Sequence, residues 1–290
     1  MNKAISVMLK KYGPIRDRID EENALKEVLQ YITLLGLNRA GFFDKAAFYG
    51  GTALRMLYDL DRFSEDMDFC LEKKDSSFSF KPYLTSLSSE LELYGFKAQI
   101  EEKRSGLDVA VNSAFVKQDT YSALLLIGSN TKGIHKKQLL KVKLEVDKEN
   151  PIGAKFQKKL VPLPVPFMVN TLDEPSLFAG KLHAIIARSY INRVKGRDYY
   201  DLLFYAARGT KVNLNYLEAK LRNSNHYSET HPLTLDTMIQ LLKDKFKTVD
   251  FKKAKDDVAP FLKTEQRRDL NNWSPELFSA LIENLDTQEY

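Results

Sequence analysis

Apolar residues in the stretch "RIDEENALKEVLQYITLLGLNRAG" recur at three- and four-residue spacing. Leu25, Val28, Leu29, Ile32 and Leu35 fall on one side, and Gly41 offers a stop. The spacing predicts an amphipathic helix. "AAFYGG" predicts a short strand running into a turn at Gly50 and Gly51. "TALRMLYDL" returns to helical spacing, with Leu54, Leu57 and Tyr58 on one side. "MDFCLE" reads as a second strand, and residues 81–94 as a helix beginning near Pro82 and ended by Gly95.

Strand-like runs follow in "FKAQIEEKR", "LDVAVNSAFV", "SALLLIG" and "QLLKVKLEVD". Next, "KKLVPLPVPFMVNTLDEPS" carries three alternating prolines. Proline lacks the ladder donor and fixes φ, so this segment predicts an extended connector and a domain boundary. From "LDEPSLFAGKLHAIIARS" onward the patterns are helical. The predicted fold class is therefore mixed α/β (α+β). Residues 1–165 form a mixed-sheet domain with an N-terminal helix, and residues 166–290 form a mostly α-helical domain.

Composition changes this picture little. The 290 residues can bury a substantial core, and 43% hydrophobic with 29% charged residues is an ordinary globular balance. A formal charge of +5 permits a nucleic-acid partner without requiring one. Cys70 is the single cysteine, which excludes an intramolecular disulfide and a cysteine-based zinc site. Its apolar neighbours predict a buried strand residue. The N-terminus lacks a long apolar region and no run approaches 18 apolar residues, so the expectation is a soluble, cytoplasmic protein without membrane contact.

The chemistry concentrates in "FYGGTALRMLYDLDRFSEDMDFCLE". Strand alternation points Asp66 and Asp68 to one face, with Met67 and Phe69 on the other. Two carboxylates so close repel unless a cation joins them, and Mg²⁺ takes oxygen ligands. A Gly-Gly turn at a helix start lets backbone amides approach phosphates. Together these are the parts for metal-assisted phosphoryl or nucleotidyl transfer. The plainer alternative is a solvated pair on an exposed strand. In "KVKLEVD", Val142, Leu144 and Val146 share one face, and Lys141, Lys143, Glu145 and Asp147 the other. If that strand neighbours the first, Glu145 completes a three-carboxylate metal site.

Further along, Asp198 and Asp201 share a helical face, with Lys195 and Arg197 alongside. A surface ion ladder is the ordinary explanation. Lys181, however, sits in the otherwise apolar "LFAGKLHAII", where it must snorkel out or find an acidic partner. A buried lysine beside acidic groups suits a triphosphate. His183 points elsewhere and reads as structural. Arg62 and Ser64 contact phosphate or fix the loop ahead of Asp66, and Arg55 is a further phosphate candidate. Lys132, Lys136, Lys137, Lys141 and Lys143, with "KFQKK" at 155–159, are either solvated faces or an RNA-backbone surface.

The combination "GGTALRMLY…RFSEDMDF" resembles the signature of the polymerase-β-like nucleotidyltransferase superfamily, and more narrowly its AbiEii branch. "LFAGKLHAIIARS…KGRDYYDLLF" is similar to that branch's Lys-plus-Arg-Asp-x-x-Asp segment, so the resemblance covers residues 45–205. It implies a polymerase-β-like core and an NTP-dependent nucleotidyltransferase. Gly50 and Gly51 cradle the phosphates; the wider superfamily has Gly-Ser at this turn where the chain has Gly-Gly-Thr, so Thr52 is the candidate for the hydroxyl. Asp66 and Asp68 hold Mg²⁺, with Glu145 favoured over Asp147 as the third carboxylate. Lys181 and Asp198 contact the nucleotide or shape the acceptor site.

By the same resemblance the chain is a toxin of an abortive-infection, phage-defence toxin–antitoxin pair. The acceptor is RNA, a tRNA 3′ end above all, and the companion a winged-helix antitoxin. Transfer to a small molecule or a protein is the alternative. A non-catalytic nucleotide-binding module is a third, which the intact Asp66 and Asp68 argue against.

Overall fold

The structure, a computed structural model, describes residues 3–13, 18–103, 110–126, 131, 138–149, 151–189, 194–263 and 265–288. The chain divides into two compact units. The first comprises Met1–Asp59, Phe63–Asn150 and Lys158–Thr171; the second comprises Leu60–Arg62, Pro151–Gln157 and Leu172–Tyr290.

In chain order the elements begin with α1 (Lys3–Lys10), α2 (Arg18–Arg39), β1 (Ala46–Tyr49), α3 (Gly50–Tyr58), β2 (Asp66–Leu71) and α4 (Lys81–Leu93). They continue with β3 (Gln99–Lys103), β4 (Val111–Asp119), α5 (Thr120–Leu126), β5 (Leu139–Asp147), β6 (Phe156–Val161) and β7 (Phe167–Leu172). The sheet has seven strands in the order β3-β4-β5-β2-β1-β7-β6. It is mixed: β2 runs parallel to β5 and β1 parallel to β7, whereas β1–β2, β3–β4 and β4–β5 are antiparallel. Met67, Phe69, Ala114, Val116, Val142, Leu144 and Val146 are all buried on the alternate positions of three adjacent strands. This is the one-face-in pattern that period-two alternation specifies.

At the centre of the first unit's core lies Phe42, whose ring meets Phe43, Phe69, Phe78, Phe80 and Tyr83 at centroid distances from 4.9 to 6.2 Å. Cys70 is buried in β2, as its apolar setting predicts. No helix among the described residues is long and apolar enough to cross a membrane.

Three expectations from the pattern are corrected. The helix α2 is not amphipathic: from Asn23 to Leu37 nearly every residue is buried, including Glu27, Gln30 and Thr33. Two of its buried polar residues are held by protein groups: Glu27 Oε2 accepts from Arg55 and Gln30 donates to the Ser64 carbonyl. Residues 122–126 of "SALLLIG" are not a strand, because Thr120–Leu126 forms α5; the last two residues of the run lie outside the described residues. Asp119 accepts from the Ser122 amide there, an N-terminal cap that turns the chain out of β4 into a helix. The proline-rich segment is only partly a connector. Its three alternating prolines lie at residues 162–166, and the proline-free stretches on either side form β6 and β7. Both join the sheet, where their amides are free to donate.

The second unit is helical as read. It contains α6 (Glu174–Ala187), α7 (Gly196–Ala207), α8 (Leu214–Asn223), α9 (Leu235–Thr248), α10 (Phe251–Val258) and α11 (Pro275–Ile282). Their starts follow capping chemistry: Asp173, Asn213, Thr234, Asp250 and Ser274 each accept from a backbone amide three residues on. Tyr199, Phe246, Phe251 and Trp273 pack around Phe278.

Replacing Phe42 with alanine empties the middle of the first unit's aromatic cluster. Urea denaturation of Phe42→Ala is expected to show a loss of about 3–5 kcal/mol. A loss below about 1 kcal/mol would contradict a packed cluster at this position.

Candidate active site

The geometry begins at the junction of β1 and α3. Tyr49 ends the strand in extended conformation, and Gly50 turns the chain with φ +80°, a left-handed value that side chains resist. The β1–β2 register pairs Tyr49 with Asp68, so the Asp68 carboxylate lies against the turn. A Cβ at position 50 would stand 3.1 Å from the Asp68 Cβ and Cγ and closer still to Oδ2. Position 50 therefore requires glycine twice over, for its φ and for its missing side chain. Buried Thr52 donates its hydroxyl hydrogen to the Asp66 carbonyl, tying the first turn of α3 to the start of β2. From α2, Gln30 Nε2 donates to the carbonyls of Ser64 and Glu65, each at 3.0 Å, and fixes the loop that enters β2.

Asp66 and Asp68 are half-buried on one face of β2, while Met67 and Phe69 are fully buried on the other. The parallel register with β5 sets Asp66 beside Lys143, Asp68 beside Glu145 and Cys70 beside Asp147. Glu145 thus shares a face and a cross-strand position with Asp68; Asp147 lies one pair further on. Lys143 Nζ is 2.7 Å from Glu145 Oε1. No group of three acidic, histidine or cysteine side chains among the described residues is gathered tightly enough to hold a metal. The donor chemistry nonetheless fits a hard divalent cation: Asp66, Asp68 and Glu145 present oxygen atoms from neighbouring strands on one sheet face.

The other first-unit candidates sit as follows. Arg55 Nε donates to Glu27 Oε2 at 2.6 Å, and its guanidinium lies 4.6 Å from the Phe63 ring centroid. Its charge is thus engaged with buried Glu27. Ser64 is half-buried in the loop held by Gln30. Lys141 and Lys143, with Asp66, border an open cavity of about 450 Å³. Lys159 stacks over the Tyr58 ring at 3.7 Å, whereas Lys155 and Lys158 are exposed. Lys132, Lys136 and Lys137 lie outside the described residues.

In the second unit, Lys181 finds the acidic partners its apolar helix demands. Its Nζ lies 2.9 Å from Asp198 Oδ1 and 2.8 Å from Asp201 Oδ2. Arg62 clamps Asp201 with two bonds, Nε to Oδ1 at 2.6 Å and Nη2 to Oδ2 at 2.7 Å. Arg188 donates to Asp198 Oδ2. Burial alone would disfavour every charge here. The ion pairs outweigh it: Asp198 and Asp201 stay below the usual carboxylate range, and Lys181 and Arg62 are raised. Asp198 and Asp201 therefore form a buried ion cluster, not a surface ladder. Sequence spacing pointed to Lys181 and the aspartates, but Arg188 was not singled out and Arg62 was read only as a phosphate or loop residue. For Arg188 the available signal was a long cation at the end of an apolar helix; Arg62, amid acidic residues, carried no such signal.

His183 is structural, as read: its Nε2 shares a hydrogen bond with the Ser224 hydroxyl at 3.0 Å. Burial, then Lys220 and His226, push its pKa down from 6.5 to about 4.

Two outcomes are expected of this unit. Arg62→Met removes the bidentate clamp and leaves buried Asp201 with Lys181 alone, which should cost about 3–5 kcal/mol, read by chemical denaturation; an unchanged midpoint would remove the clamp from the account. The unfolded chain protonates His183 near pH 6.5 and the folded chain near 4. Stability should therefore fall as pH drops through that interval, and His183→Gln should flatten the fall. An imidazole NMR titration with a midpoint between 6 and 7 would contradict it.

Comparison with known proteins adds an independent line. Residues 32–283 match the family model described as nucleotidyl transferase AbiEii toxin, type IV toxin–antitoxin system. Two solved structures from Helicobacter pylori are similar. One, a candidate nucleotidyltransferase, is 21% identical with a TM-score of 0.48, over 91% of this chain and 97% of that one. The other, JHP933, is 20% identical with a TM-score of 0.48, over 90% of this chain and 89% of that one. No curated protein matches the sequence. The family match extends beyond residues 45–205 on both sides and takes in most of both units. The chain belongs to the AbiEii nucleotidyl transferase toxin family of type IV toxin–antitoxin systems.

Proposed function

We propose that this nucleotidyltransferase moves a nucleoside monophosphate from an NTP to an RNA acceptor, a tRNA 3′ end in our reading, with Mg²⁺ as cofactor. The observation that carries the proposal is the packing of Asp68 against Gly50 at the start of α3, with Glu145 beside it on β5. Phosphate oxygens brought to the first amides of α3 meet both hydrogen-bond donors and the positive end of the helix dipole. Gly50 and Gly51 leave room for that approach.

Asp66, Asp68 and Glu145 are the residues that would hold the cation. Bound there, Mg²⁺ supplies charge neutralisation on the phosphates and lowers the pKa of a nearby hydroxyl. The acceptor oxygen forms a bond to the α-phosphorus as the bond from that phosphorus to the β-bridging oxygen breaks. Pyrophosphate leaves, and one of the β2 aspartates takes the hydroxyl proton. Thr52 supports the turn through its bond to the Asp66 carbonyl. Ser64 stays assigned to phosphate; Arg55, committed to Glu27, is not. Lys181 and Asp198 we assign, by the family resemblance, to the nucleotide or the acceptor.

Membership of the family implies an antitoxin partner. We propose a winged-helix protein in that role, a cytoplasmic setting where NTPs and RNA meet, and phage defence as the context.

The test incubates the purified chain with Mg²⁺, total RNA and each α-³²P NTP in turn, beside Asp66→Ala. Label is expected in RNA with one NTP, and lost both in Asp66→Ala and on chelation of the cation. Label on protein or a small molecule would move the acceptor to the alternative class; label that survives in Asp66→Ala would contradict the site. In cells, expression should arrest growth and Asp68→Ala should relieve it. Equal arrest by Asp68→Ala would separate toxicity from the chemistry proposed.

A further inference from the structure

We infer that the open sheet face beside Asp66 is a stacking platform for the terminal base of a single-stranded RNA 3′ end, with Phe115 as its aromatic floor. The inference rests on the RNA-acceptor reading and deepens it by locating the acceptor.

Strand β4 alternates strictly, with Asn112, Ala114, Val116 and Gln118 buried. Phe115 falls on the other, polar side together with Ser113, Lys117 and Asp119. A large aromatic ring there is out of pattern, because that side has no apolar core to fill. Among the described residues no other ring stacks on Phe115, although Lys117 Nζ lies 5.9 Å from its centroid. The ring instead lines the open cavity of about 450 Å³ that also borders Asp66, Lys141 and Lys143. That volume lies within the ~300–1,000 Å³ typical of small-ligand sites.

Register fixes what surrounds the ring. Phe115 pairs with Lys143, and Lys143 pairs with Asp66, so the three occupy one row across β4, β5 and β2. With strands ~4.8 Å apart, ring and carboxylate are separated by roughly 10 Å, about the span of one nucleotide. A base stacked on Phe115 therefore brings its sugar hydroxyls towards Asp66, where the proposed chemistry needs them. Lys141, exposed two residues before Lys143 on the same face, stands ready for the backbone phosphate. Aromatic side chains on an open sheet, flanked by cations, are a recurrent solution for unpaired RNA because every base offers a π-face.

The test uses the full chain and a single-stranded RNA dodecamer carrying 2-aminopurine at its 3′ end. Wild type should quench the fluorophore on binding. Phe115→Leu keeps apolar bulk without the ring and should abolish the quench and weaken RNA binding roughly 5- to 150-fold. Phe115→Trp should restore both, and KM for the NTP should not move in either variant. Lys141→Gln should lower the salt slope of RNA binding by about one. If wild type labels RNA and Phe115→Leu binds and quenches equally well, the platform falls and the RNA-acceptor reading stands. A rise in KM for the NTP alone would assign the ring to the donor base and overturn the inference. A wild-type chain that labels no RNA would overturn acceptor and platform together.

Discussion

The carboxylate of Asp68 fills the space in which any side chain at position 50 would begin, and the rest of the site depends on that contact. It fixes how closely the β1–α3 turn approaches β2. It also puts the amide-rich start of α3 next to a negative charge that must be shared with something positive. The Thr52 bond to the Asp66 carbonyl and the two Gln30 bonds to the loop hold β2 in that position from either side. Parallel pairing with β5 then delivers Glu145 to Asp68 and Lys143 to Asp66 without further adjustment. A single left-handed residue thereby sets the spacing between the start of α3 and the carboxylates of β2.

The second unit solves a different problem. Lys181 and Arg62 meet buried Asp198 and Asp201, and Arg188 joins Asp198 from a partly exposed position. Desolvating five charges is costly, and their attraction offsets it only because the geometry is close and bidentate. Gly196, whose missing Cβ lets α7 start against the Ala254 carbonyl, holds Asp198 and Asp201 at that depth.

Much of this was legible in the sequence, for reasons of period. Alternation in "EDMDF" and "KVKLEVD" assigned residues 66–69 of β2 and 141–147 of β5 to their faces, and the Gly-Gly turn between a strand and a helical pattern marked the junction. Helical periodicity from "LDEPSLFAGKLHAIIARS" onward announced the second unit. What failed were features without a local signature. Buried polar residues on α2 look like a solvated face until Arg55 and the Ser64 carbonyl are seen to satisfy them. The apolar run "SALLLIG" suits strand or helix equally, and Asp119 decides it. Prolines at 162–166 masked the strands beside them. Phe115 was not singled out within "LDVAVNSAFV", because its row with Lys143 and Asp66 comes from β5 and β2, not from its own strand. Register is a property of the folded sheet, and only it sets Glu145 rather than Asp147 beside Asp68.

The most direct measurement of the central claim is a crystal structure of the protein with a non-hydrolysable NTP analogue and Mn²⁺, phased for the anomalous signal of the metal. The account predicts an anomalous peak within coordination distance of both Asp66 and Asp68, with the triphosphate over Gly50 and Gly51 at the start of α3. A nucleotide bound elsewhere, or bound here with no metal peak between the two aspartates, would contradict it.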